Sequence, residues 1–262
     1  MTRNVFSLVK RQYSPDYGFK NLAKGNYTHS LLNSTEGIVF DQFNSIASGW
    51  WLESREAPTP QEKEITVDIP YSQGLQDFSI LNEQRFFSNR ELKYKLVLSD
   101  GDYNYRKAKE NEAKRALMYA GFKTLYDTHN PGFVWRAKCS EVEADDDEKD
   151  ETITLNVKFT AYPFAIQRNY EGSDIWDDIN FDTWEWQEVK LSTGINEINN
   201  WGSRPVWVSF DCSSDFDITI DDQKVKATPD GKEKLLLPVG LSIVQAYGSG
   251  TIKLKFKCEV ML

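Results

Sequence analysis

The chain has 262 residues, a formal net charge of −9, 40% hydrophobic residues, and 15 Phe, 12 Tyr and 8 Trp. That is apolar material for one large all-β domain or two ordinary ones, and it excludes an intrinsically disordered chain. The acidic balance argues against a surface built to hold nucleic acid, because phosphate recognition needs a basic footprint.

The first 48 residues are mixed, with short apolar clusters at 5–9 and 38–43. No apolar core of signal-peptide length opens the chain and no stretch approaches a membrane span, so the expectation is a protein made and folded in a reducing cytoplasm. Gly49-Trp50-Trp51-Leu52 and Ala57-Pro58-Thr59-Pro60 follow, then Ile65-Thr66-Val67-Asp68-Ile69, an alternating run that predicts a strand ended by Pro70. Residues 93–98 predict another strand, closed by a turn at Asp100-Gly101.

Residues 104–120 are rich in strong helix formers and predict the one convincing helix, capped by Asp102 or Asn104 and ended by Gly121. Ala113, Ala116, Leu117 and Ala120 share a face, which predicts a helix lying on a sheet through small residues. After a turn at Asn130-Pro131-Gly132, strands are expected at 133–142 and 152–161, forming an antiparallel hairpin around an acidic, solvated loop at 143–151. A domain boundary is expected near 165–180. Beyond it, runs at 206–210, 216–220, 234–237, 241–246 and 251–260 are separated by turn residues and predict a β-sandwich or jelly roll.

No motif within 49–90 carries chemistry. His29 and His129 are the only two histidines and neither sits in a metal-binding pattern, so no catalytic, cofactor or metal residue is assigned. Cys139, Cys212 and Cys258 are odd in number and lie in apolar-alternating runs, as small buried hydrophobes would. The acidic run at 143–151 lacks the spacing of a calcium loop.

Trp184-Glu185-Trp186 is the candidate carbohydrate site, since Trp faces stack on sugar rings and a carboxylate accepts sugar hydroxyls. On a strand, however, the two tryptophans share a face that Glu185 does not, which reads as two core or interface aromatics with an outward Glu. A carbohydrate-binding module using the C-terminal part is the alternative function; hydrolysis by Glu185 is a weaker third.

Several of these segments, taken in order, resemble the distal tail proteins of long-tailed (siphovirus) phages infecting Gram-positive bacteria. The resemblance runs through Gly49-Trp50-Trp51-Leu52, the 65–70 strand with Gly74, Phe87-Ser88-Asn89-Arg90 leading into 92–98, and the single helix ending near Ala120. It continues in Asn130-Pro131-Gly132-Phe133-Val134-Trp135-Arg136 and in 153–159 leading to Tyr162-Pro163-Phe164. It implies a mainly β fold: an N-terminal β-sandwich domain with one α-helix (1–168), which forms the ring, and a C-terminal galectin-like β-sandwich of jelly-roll type (169–262).

The function implied is structural and non-enzymatic. The family forms a homo-hexameric ring at the distal end of the virion tail, joined to the tail tube protein, the tail-associated hub protein and receptor-binding or baseplate proteins, with DNA passing through the centre and no cofactor or membrane insertion. The galectin sugar constellation is absent, because no His follows His129. Heterologous ring contacts need two complementary faces. The expectation is therefore an arm over residues 50–75, stiffened by Pro58 and Pro60, with Trp50 or Trp51 anchoring it on a neighbour; burial of both in the subunit's own core is the alternative.

Overall fold

The structure, a computed structural model, describes residues 4–5, 20–21, 36–68, 71, 73–74, 76–81, 84–170, 189–221 and 223–262. They divide into two compact units: Met1–Gln61, Phe87–Pro131 and Trp135–Tyr162 make the first, and Glu62–Phe86, Gly132–Val134 and Pro163–Leu262 the second.

The first unit is built on β1 (Ile38–Phe40), β2 (Phe43–Asn44), β3 (Trp51–Glu56), β4 (Arg90–Ser99), β5 (Lys123–Asp127), β6 (Phe133–Asp147) and β7 (Thr152–Ala161). They lie side by side in the order β2-β1-β5-β6-β7-β4-β3, each antiparallel to its neighbours. Trp50 N donates to Ser45 O (2.8 Å) and Leu52 N to Glu36 O (3.1 Å), so the sheet curls until its two ends meet. The alternation of a half-buried strand is regular: Leu92, Tyr94, Leu96 and Leu98 of β4 and Ile153, Leu155, Val157, Phe159 and Ala161 of β7 point inward and are buried. Phe159 meets Phe40 and Tyr94 edge to face, with ring centroids 5.0 and 5.8 Å apart.

The helix α1 spans Tyr103–Tyr119, and Asp102 caps it by accepting from Asn104 N (2.9 Å). It rests against β2 and β7, with Ala113, Leu117 and Ala120 buried as expected. Ala120 is already extended, so the helix ends one residue before its expected limit and does not use Gly121. Arg106, on the buried side, was not expected there. Its Nε lies 2.8 Å from Asp146 Oδ1 and its Nη1 donates to Asp100 O (2.6 Å).

Two expectations are corrected. The acidic run is largely strand: β6 continues to Asp147, in register with β7 up to Asp147↔Thr152. Alternate residues of a strand are roughly 7 Å apart along one face. Glu143, Asp145 and Asp147 face the neutral Asn156, Thr154 and Thr152, whereas Asp146 reaches Arg106 and Lys107 from the opposite face. Asp147 Oδ1 then accepts from Lys149 N and Asp150 N to shape the turn.

Of the described residues in the run 65–69, Thr66–Val67 pair with Gln76–Asp77, both side chains exposed, and Ile65 O accepts from Phe78 N (2.8 Å); residue 69 lies outside the described residues. An alternating pattern without a core face beneath it gives little drive to extend the pairing. A second short hairpin, Ile80–Leu81 with Gln84–Arg85, follows.

The rest of the second unit contains β8 (Ala165–Gln167), β9 (Lys190–Leu191), β10 (Gly194–Asn200), β11 (Val206–Cys212), β12 (Phe216–Ile220), β13 (Gln223–Ala227), β14 (Lys234–Leu237), β15 (Gly240–Gly248), β16 (Ile252–Lys255) and β17 (Glu259–Val260). Two four-stranded antiparallel sheets, β9-β16-β11-β14 and β10-β15-β12-β13, enclose a core of residues such as Val208, Phe210, Ile218, Leu237, Val244 and Leu254. β8 pairs with Phe133–Val134 on one side and with β17 on the other. Gly248 is required where it stands: a Cβ there would come within 2.6 Å of the Phe216 ring. β10 and β13 were not anticipated, because Gly-Ile-Asn-Glu-Ile-Asn-Asn and Gln-Lys-Val-Lys-Ala show little apolar alternation; pairing with β15 and β12 creates them.

Candidate interaction surfaces and a buried polar cluster

Two of the segments that carried the family resemblance, 87–98 and 130–136, meet Arg55 and Asp127 in one buried polar cluster in the first unit. Asp127, at the end of β5, is 1% exposed. Its Oδ2 accepts from Tyr94 OH (2.8 Å) and faces Arg55 Nε at 3.2 Å. Its Oδ1 accepts from His129 N (3.0 Å) and Asn130 N (3.1 Å), which sets the turn into Asn130-Pro131-Gly132. With its amide turned to satisfy both ends, Asn130 offers its oxygen to Arg55 Nη1 and Nη2 at 2.8 and 2.9 Å.

Arg90, also buried, stacks over Trp135 at 4.7 Å and donates through Nη2 to Ala57 O (2.7 Å). Burial, and next the charge of Arg55, lower the Arg90 pKa; burial, and next Asp127, raise that of Tyr94 well above its ordinary value. The cluster ties three stretches of chain together, as a structural staple between strands does, although Arg55 Nε and Arg90 Nε are buried without a hydrogen-bond acceptor. Reading the sequence alone found Arg90, Asn130 and Trp135 but missed Arg55, Tyr94 and Asp127. The available signal was phase: Tyr94 alternates with Leu92 and Leu96 and Asp127 with Leu125, whereas Arg55 lies past a register shift in β3 and gave none.

Trp50 is fully buried in the first unit and Trp51 is half-buried. Pro60 is buried and Pro58 exposed. The structure thus places Trp50 in the subunit's own core, where its side chain offers no surface. Trp184, Glu185, Trp186, His29 and Pro70 lie outside the described residues.

Exposed apolar side chains concentrate instead in Glu62–Phe86, where Ile65, Val67, Tyr71, Phe78, Ile80 and Phe86 are all exposed. The base of this excursion is tied by Lys63 N donating to Phe86 O (2.8 Å) and by a Glu62–Arg85 ion pair.

A cavity of about 250 Å³ opens on the outer side of β3, β4 and β7, lined in part by Glu56, Lys93, Lys95, Asn156 and Lys158. Its lysines are already matched by carboxylates: Lys93 with Glu56 and Glu91 (both 3.4 Å), Lys95 with Glu53 (2.8 Å) and Lys158 with Glu141 (2.5 Å). Among the described residues no group of three or more His, Cys, Asp and Glu side chains is placed to hold a metal ion. Cys139, Cys212 and Cys258 are buried and form no disulfide, and burial pushes the Cys139 thiol up to about 11.

No protein-family profile and no curated protein sequence matches the chain. Among solved structures, the Dit protein (gp 19.1) of phage SPP1, described as a paradigm of the hub adsorption apparatus in Gram-positive-infecting phages, matches with a TM-score of 0.64 at 8% identity, over 86% of this chain and 99% of that one. Chains of the phage p2 baseplate in its activated conformation, with Sr and with Ca, match with TM-scores of 0.38 at 7% and 9% identity, over 79% and 95% of this chain and 90% and 96% of theirs. The chain therefore has the fold of a phage distal tail protein, mainly β with a single described helix, as the resemblance implied.

Proposed function

We propose that the chain is a structural, non-enzymatic hub protein at the distal tip of a phage tail. The observation that carries this reading is the fold shared with SPP1 Dit over nearly all of that protein. In the proposal six copies close a ring through heterologous faces, the first unit forming the ring and the second, galectin-like unit forming the outer part. The ring joins the tail tube protein to the tail-associated hub and to receptor-binding proteins, and DNA passes through it without specific binding. Surplus acidic charge favours that passage, since like charges repel at short range.

The excursion Glu62–Phe86 takes the role of the arm, in place of the Trp50 anchor. Its exposed aromatics and aliphatics are the residue types that bury against a partner. Glycan binding by Trp184-Glu185-Trp186 gains no support from the described residues, and the hub reading is preferred.

Light scattering coupled to size exclusion, followed by electron microscopy of the eluted species, tests the ring. Six-fold particles that fall to monomers on Phe78→Asp with Ile80→Asp are expected. A monomer that stays monomeric when mixed with its tail tube and hub partners refutes the proposal.

A further inference from the structure

The four edge strands of the second unit's two sheets are treated unequally. A sheet edge presents unpaired N–H and C=O groups, and folded proteins ordinarily blunt it. β9 is only two residues long. On β14 the Gln223 side chain imitates a neighbouring strand: Leu236 N donates to its Oε1 (3.4 Å) and its Nε2 donates to Leu236 O (3.2 Å). β13 carries two exposed lysines, Lys224 and Lys226, within five residues.

β10 has neither the short length, nor the lysines, nor an amide from another strand laid along its edge; its own Asn196 Nδ2 donates to Gly194 O (3.2 Å) and Ser192 O (2.7 Å) at its start. It runs seven residues, contains no Lys, Arg or Pro, and keeps an unbroken register with β15 from Gly194↔Ala246 to Asn200↔Gly240. Among the described residues no strand pairs along its other side.

Beside this open edge lies an apolar shelf. Ile195 of β10 is 70% exposed and stands diagonal to Ile243 (53%) and Tyr247 (54%) of β15, with Leu241 (67%) further along the same face. The single charge on β10 is Glu197, exposed and opposite Ile243.

We propose that β10 is a docking edge at which an extended segment of a different protein adds to the sheet as a further antiparallel or parallel strand. The backbone ladder supplies affinity. Ile195 and the shelf select an apolar side chain at alternate positions of the incoming strand, and Glu197 selects a Lys or Arg beside it. A second copy of the chain is a poor occupant: pairing two β10 strands over their whole length about a two-fold axis sets Glu197 against Glu197, and every other two-fold register pairs only part of the strand. This inference stands apart from the tail reading, because it rests on the edge alone.

The test uses the full-length chain as bait for a displayed random-peptide library. Enriched peptides are expected to carry apolar residues at alternate positions with Lys or Arg among them. A synthetic copy is expected to slow amide exchange across 194–200 and to lose affinity about ten-fold or more on Ile195→Lys or on Glu197→Lys. Both side chains are exposed, so circular dichroism should show each variant folded.

The proposal is overturned by an absence of enrichment, by binding that neither substitution weakens, or by protection mapping elsewhere. It also falls if 194–200 is already protected in the free chain, or if Ile195→Lys abolishes a self-association, which would make the occupant a second copy.

Discussion

Asp127→Ala is the sharpest test of the buried cluster. The substitution removes the acceptor of Tyr94 OH, His129 N and Asn130 N and the charge 3.2 Å from Arg55 Nε. The Arg55 side chain is only 12% exposed, so the guanidinium would stay largely buried with its negative partner gone. Breaking one side of a buried ion pair costs about 3–5 kcal/mol, a figure that includes the hydrogen bonds lost with the removed charge. The expected loss is therefore about 4 kcal/mol, a large share of the 5–15 kcal/mol typical of a domain.

Asp127→Asn keeps one oxygen for the turn amides but brings an amino group towards Arg55 or Tyr94. It should cost about half as much. Urea unfolding followed by tryptophan fluorescence reads the effect, because Trp50 and Trp135 are both buried in the first unit. A loss below about 1 kcal/mol for Asp127→Ala, with unchanged slope, would refute the staple and leave the cluster a passive consequence of strand packing.

Tyr94→Phe removes a hydrogen bond to a carboxylate and should cost about 1.5–3 kcal/mol at neutral pH in the same unfolding assay. Because the folded Tyr94 pKa lies above the ordinary value of 10.0, its contribution is fully present below that pH and is lost as pH rises towards the folded pKa; Tyr94→Phe should flatten this alkaline loss in a stability-versus-pH series. Leu117→Ala, on the fully buried face of α1, should cost about 2–5 kcal/mol, whereas Tyr119→Ala on its exposed face should change the unfolding midpoint little. The three thiols should resist Ellman's reagent at pH 8 until denaturant is added, since all are buried and that of Cys139 is pushed up to about 11; rapid labelling of Cys139 in the native chain would contradict its placement.

Local patterns told most where the two sides of an element meet different environments. β4 and β7 alternate apolar and polar residues because one face is core and the other solvent, and α1 shows its buried face as Ala113, Leu117 and Ala120. Sequence reading failed where the pattern does not encode a partner. Alternation at 65–69 predicted a strand, but among its described residues the paired stretch is Thr66–Val67, and acidity at 143–147 predicted a loop, although neutral partners on β7 and Arg106 from the helix hold the run extended.

The sequence by itself determined the mainly β composition, the helix, strands β11, β12, β14, β15 and β16 of the second unit, and a set of segments that in order resemble distal tail proteins. Those are local properties, written in hydrophobic period and turn chemistry. Tertiary structure alone decided that Arg55, Arg90, Tyr94, Asp127 and Asn130 converge, because they come from three separate stretches of chain (55, 90–94 and 127–130) and meet only when the sheet curls. It decided as well that Trp50 turns inward, and that among the described residues no strand pairs along the outer side of β10, while Gln223 closes the edge of β14. An edge is defined by what pairs beside it, which no single segment records.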